Sequence, residues 1–191
     1  MKTYRVLAFL ALIITNSCST ILVNTTNREG IIEDPTERTA GAIVEDRSIE
    51  TKIAVNLKAE EPAFRAASFN VISHNAVVLL VGQVESDELK AKATEIASRA
   101  SAKIRRIHNA LEISGRAGFI SQGNDTWIAT KVRTLFFAND EIPSDQVKVI
   151  VESGVVYLMG LISEETGEQA ADVARNVSGV TEVVKFFEYI S

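Results

Sequence analysis

Side chains that could carry covalent or acid–base chemistry are few in this chain. Among 191 residues there is one cysteine, Cys18, and there are two histidines, His74 and His108. Neither histidine has a cysteine or an acid cluster at metal-ligand spacing, and no G-x-S-x-G, P-loop or G-x-G-x-x-G motif occurs. The acids are scattered over helical faces, where a solvated surface is a simpler reading than a catalytic carboxylate pair. No enzyme, cofactor or resident metal is expected. Two features remain: a thiol directly behind an apolar run, and an aromatic and cationic cluster around the single tryptophan.

That cluster lies in residues 124–137, N-D-T-W-I-A-T-K-V-R-T-L-F-F. Asn124 or Asp125 is suited to cap a helix there, and Asp125 also suits the positive end of its dipole. At 100° per residue, Ile128, Val132, Leu135 and Phe136 fall in an arc of about 100°, a normal core face. Trp127 and Phe137 lie outside it, with Thr130 and Thr134 between the two rings and Lys131 and Arg133 beside them. A helix already burying four apolar residues does not need two exposed rings for folding. Tryptophan suits a membrane interface, where its ring and its N–H face different media. Lys131 and Arg133 could each add about 1 kcal/mol against an anionic leaflet. Trp127, Lys131, Arg133, Thr134 and Phe137 are therefore the candidate membrane-contacting residues. Two other readings stand beside this one: Trp127 packs against residues 46–115 across a domain interface, or it is a hot spot for a protein partner. A second basic cluster, Lys103, Arg105 and Arg106, reads as a solvated strand edge that resists unwanted pairing.

The elements that must position these residues follow from the order of the chain. Met1 to Ser17 has the parts of a secretory signal: Lys2 and Arg5, then an apolar run from Val6 to Ile14. Nine apolar residues span roughly 13 Å as a helix, too short to cross a bilayer. Thr15-Asn16-Ser17-Cys18 then resembles the lipobox of bacterial lipoproteins, with Thr15 where that family usually has Leu or Val. The resemblance implies that Cys18 is lipidated and becomes the new N-terminus; Ser19 behind it implies sorting to the outer membrane. Removing the first 17 residues takes away two basic residues and no acid, leaving 18 basic against 25 acidic, a net charge of −7. Such a balance argues against general nucleic-acid binding. Residues 18–45 lack a sustained apolar period and read as the lipidated N-terminus and a tether.

The remainder is one unit written twice. D-R-S-I-E-T-K-I at 46–53 matches D-T-W-I-A-T-K-V at 125–132, and V-V-L-L-V-G at 77–82 matches V-V-Y-L-M-G at 155–160. Each copy, 46–115 and 124–191, reads as helix, strand, turn, strand, helix, strand, an α+β fold. The first helix is expected over 47–59. Strands are expected at 69–73 and 77–81, split by His74-Asn75-Ala76, and at 147–152 and 155–161, split by Ser153-Gly154. Alanine-rich helices follow at 87–100 and 164–177, then strands at 104–113 and 180–190. Gly82, Gly160 and Gly179 read as positions of backbone geometry. At about 70 residues each copy is marginal alone, so the two are expected to pack together.

This αββαβ order, the V-x-L-x-G strands ending at Gly82 and Gly160, and the Ser178-Gly179-Val180 joint resemble BON domains. Ala102 stands where the joint glycine is expected in copy one. Two such domains behind a lipobox resemble the dual-BON outer-membrane lipoproteins of Gram-negative bacteria. The resemblance implies two helices on a small three-stranded mixed sheet in each domain. It also implies a non-enzymatic, lipid-anchored protein on the periplasmic face of the outer membrane that supports envelope integrity. By the same resemblance, the first helix of domain two binds anionic phospholipid in the inner leaflet, and β-barrel assembly machinery and division-site components are partner classes. A protein–protein adaptor using the same helix is the rival reading. In copy one Ser48 stands where copy two has Trp127, so the aromatic is particular to copy two.

Overall fold

The computed structural model describes residues 38–113 and 122–190; the signal segment, Cys18 and most of the tether lie outside the described residues. Thr39 starts the first helix by accepting a hydrogen bond on its hydroxyl from the Ala42 amide at 3.1 Å. Helix α1 runs Ala40–Glu60, beginning seven residues before the expected Arg47. Its early turns bury little, since Ile43 and Val44 are exposed, so they carry no apolar period to read in the sequence. Further along, Ile49, Ile53 and Leu57 are fully buried. A short 3-10 turn, Pro62–Arg65, follows.

Strands β1 (Ser68–His74) and β2 (Val77–Val84) form an antiparallel hairpin, helix α2 is Asp87–Arg99, and β3 (Arg106–Ile113) pairs parallel to β2. Copy two repeats the order with α3 (Gln122–Phe137), β4 (Lys148–Glu152), β5 (Val155–Ile162), α4 (Glu164–Arg175) and β6 (Glu182–Tyr189). The sheet orders are β1-β2-β3 and β4-β5-β6. Ser86 and Ser163 cap α2 and α4 by accepting from the amides of Leu89 and Thr166. This is the expected α+β architecture, two helices on a three-stranded mixed sheet in each copy, with strand ends shifted by up to three residues.

The central strands explain how the copies pack. In β2, Val78 and Leu80 face the copy-one helices, whereas Val77, Leu79 and Val81 point the other way. In β5, Val156 and Leu158 face α3 and α4, while Tyr157 and Met159 point out of the copy's own core. Alternation would expose the second set. Instead these residues meet in one shared cluster, joined by Ile72, Ala110, Ile150 and Phe186. The molecule is therefore layered helices, sheet, sheet, helices, with a third core between the two sheets. His108 stacks on Phe186 across that interface, ring centroids 3.9 Å apart. One end of the interface is ionic: Arg105 meets Glu188 at 2.8 Å, and Lys148 meets Glu50 at 3.4 Å and donates to the Ser73 carbonyl at 3.2 Å.

Glycine is required inside the central strands rather than at their ends. Gly82 has φ +116°, and a Cβ there would sit 2.3 Å from the Ser68 carbonyl oxygen; at Gly160 it would sit 2.5 Å from that of Gln146. Each therefore lets the neighbouring edge strand approach.

Candidate functional site

The site is built on α3. Ile128, Val132 and Phe136 are buried, Ala129 nearly so, and Leu135 packs against the same core, so one face is consumed by folding. The helix is positioned by an aspartate in a way the sequence did not suggest. Asp125 does not cap α3, which begins at Gln122. It is buried, and its two carboxylate oxygens accept the Ser153 and Gly154 amides at 2.9 and 2.8 Å. Those residues have φ values of 52° and 80°, a left-handed pair that closes the β4–β5 hairpin.

Copy one uses the same device. Asp46 accepts from the Ser73 hydroxyl at 2.6 Å and from the Asn75 and Ala76 amides, each at 2.9 Å, and pairs with Arg38 at 2.5 Å. Burial opposes its charge, yet the Ser73, Ala76 and Asn75 bonds and Arg38 together hold its carboxyl below the ordinary range. The repeat pairs Asp46 with Asp125, each well ahead of a two-residue turn; that repetition was the signal for both.

The remaining face of α3 is bare. Trp127 is 51% exposed and Phe137 83% exposed, so Trp127 is not buried against copy one. Thr126, Thr130, Lys131 and Thr134 are exposed around them. The Thr130 and Thr134 hydroxyls donate back to the carbonyls of Thr126 and Thr130, which lowers the polarity this face presents. Asp125 is the only acid in α3 and it points inward; Asp140, Glu141 and Asp145 follow the helix and are exposed. Lys131 has no ion pair among the described residues. Arg133 is exposed, but its Nη2 donates to the Val149 carbonyl at 2.6 Å, so its guanidinium is tied to the β4 edge. Of the five predicted contact residues, Trp127, Lys131, Thr134 and Phe137 share the outer face, and Arg133 turns to its flank.

That flank is an open groove of about 1160 Å³ between α3, β4 and the inward-facing side of β1, lined among others by Ser68, Asn70, Thr130, Arg133, Phe137 and Glu152. Its ends differ in charge. Arg38, His74 and Lys148 gather at one. Burial holds His74 down at about 4, helped by Arg38 and Lys148, and burial lowers Lys148 against the pull of Glu50. At the other end burial raises Glu152, with Asp125 and Glu112 adding to it and an Asn70 hydrogen bond opposing. His74 is the buried last residue of β1, not the turn residue expected. In the second basic cluster Lys103 pairs with Glu45 and Arg105 crosses to copy two, so it is largely neutralised. Among the described residues no group of three or more His, Cys, Asp or Glu could hold a metal ion, and no helix is long and apolar enough to cross a membrane.

Comparison with known proteins agrees with this architecture. The BON domain family model matches residues 45–115 and 124–191. A protein named 21 kDa hemolysin, from Actinobacillus pleuropneumoniae, is 35% identical over 80% of this chain and 78% of its own length. The outer membrane lipoprotein DolP of Haemophilus influenzae is 31% identical over 84% of this chain and 81% of its own. Osmotically-inducible protein Y of Escherichia coli is 26% identical over 78% and 75%. With both copies matched by the family model and each folded as αββαβ, the chain belongs to the BON-domain family and carries two BON domains in tandem.

Proposed function

We propose that this is an outer-membrane lipoprotein, anchored through Cys18 on the periplasmic side, that supports envelope integrity and binds anionic phospholipid through the outer face of α3. The observation that carries the reading is the pair of exposed rings, Trp127 and Phe137, on a helix face that holds a lysine and no acid. Two rings about ten residues apart along a helix are separated by roughly 15 Å, enough for a flat, two-point contact at the headgroup boundary. Lys131 supplies the attraction to negative headgroups, and Arg133 does so only by releasing the Val149 carbonyl. Because the whole chain is acidic, long-range attraction is absent and the contact is short-ranged, so it is sensitive to salt and to lipid composition. A lipid anchor holds the protein at the membrane, and α3 then selects where along it the domains settle. The resemblance of the anchor segment to a lipobox and the DolP relative support this placement.

Trp127 is the only tryptophan and so reports on its own surroundings. Its emission should shift to the blue when phosphatidylglycerol vesicles are added and stay unchanged with phosphatidylcholine vesicles. No shift with the anionic vesicles would remove the main support for the reading.

A further inference from the structure

The groove beside α3 has the form of a vacant strand position. In the β4–β5 hairpin the two-residue turn Ser153-Gly154 is flanked by the pair Glu152 and Val155. In such a hairpin the flanking pair exchanges both ladder bonds, and every second pair does the same. Ile150 and Lys148 therefore bond inward to β5, whereas the main chain of Val149 and Val151 points away from the sheet. The Arg133 contact agrees with this, because its Nη2 finds the Val149 carbonyl on the outer side. β4 is an edge strand, and no other hydrogen bond among the described residues reaches the outward groups of Val149 or Val151. An edge of this kind is a template for another strand.

The walls describe the occupant. Residues 147–152 all line the groove, as do Ser68, Asn70 and His74 of β1 and Ala129, Thr130 and Phe137 of α3. A strand laid along β4 would turn one set of side chains toward the polar Ser68 and Asn70. Its alternate set would face Ala129, Thr130 and the exposed ring of Phe137. Arg38 and Lys148 mark one end, Glu152 and Asp125 the other.

We propose that the outer edge of β4 binds an extended peptide as a fourth strand of the second sheet. The peptide carries an acidic group at the Lys148 end, a basic group at the Glu152 end and β-branched residues between them. Arg133 swings off the Val149 carbonyl as the incoming amide takes its place. This surface meets the lipid contact at Arg133, Thr134 and Phe137, which line the groove, but leaves Trp127 and Lys131 outside it.

Two synthetic peptides test it, Lys-Thr-Val-Thr-Val-Thr-Asp and its charge-reversed order Asp-Thr-Val-Thr-Val-Thr-Lys, added to the chain Pro35–Ser191, the compact unit that contains all three cores. One order should bind at least about tenfold more tightly than the other, since opposed charges at both ends add, and should shift the Val149 and Val151 amide resonances. Val151→Pro removes an outward N–H at an edge position where proline is tolerated, and should weaken that binding by about tenfold. Glu152→Lys leaves the main chain intact and should abolish the preference between the two orders, while Trp127→Glu should change neither result. The proposal is overturned if neither peptide binds, if they bind without moving the Val149 and Val151 amides, or if the preference survives Glu152→Lys. It is also overturned if phosphatidylglycerol vesicles, and not the peptides, move those two amides.

Discussion

Asp46 and Asp125 close the same turn in the two copies, and the hydrogen-bond geometry sets what their loss does. Replacing Asp125 with alanine leaves the Ser153 and Gly154 amides without acceptors. The expected loss is about 1–3 kcal/mol in urea unfolding, with the β4–β5 hairpin the first region to lose amide protection. His74 gives a pH dependence of definite sign. Burial first, then Arg38 and Lys148, hold its pKa near 4 against 6.5 for the free side chain. The folded state therefore binds fewer protons than the unfolded state between those values. His74 contributes its full stability above about pH 6.5 and loses it as the pH falls toward 4, up to about 3 kcal/mol. Thermal melts from pH 7 to pH 4 should show this decline, and His74→Gln should flatten it. Neither role is legible in the local pattern: Asp125 carries the signature of a cap, with only its repetition at Asp46 pointing elsewhere, and a histidine beside Asn75 reads as part of a turn. The role of Asp125 is decided by amides about thirty residues further along the chain, and that of His74 by its burial beside Arg38 and Lys148.

At the scale of the element, the strands and helices were largely written in the sequence, because apolar alternation and alanine-rich periods are local. The start of α1 was not, since Ile43 and Val44 extend a helix without burying it. The central strands β2 and β5 read as continuous apolar runs, V-V-L-L-V and V-V-Y-L-M, and such a run implies that both faces are covered. The cover on the second face is the other copy. Glycine in these strands is equally specific. Gly82→Ala would place a methyl 2.3 Å from the Ser68 carbonyl at a positive φ. It should displace β1 and cost more than about 2 kcal/mol in chemical unfolding. A Gly82→Ala protein as stable as the parent would mean that β1 and β2 do not approach as described.

At the scale of the molecule, the shared core between the sheets makes the two BON domains one cooperative body. Calorimetry of Pro35–Ser191 should give a single transition, and Met159→Asp, which puts a charge in the inter-sheet cluster, should split it into two or lower it sharply. This packing turns α3 outward, leaves its unburied face free for a second medium, and separates what the domains share from what only the second one has. The shared part is the core-facing side of α1 and α3, together with a lysine that stands as Lys52 in one and Lys131 in the other; the addition is Trp127 with Phe137. The central claim therefore rests on Trp127, and cosedimentation of Pro35–Ser191 with phosphatidylglycerol vesicles tests it most directly. The account predicts that Trp127→Glu keeps the melting temperature and the circular dichroism of the parent while vesicle binding is lost. A folded Trp127→Glu protein that still sediments with those vesicles as the parent does would contradict it.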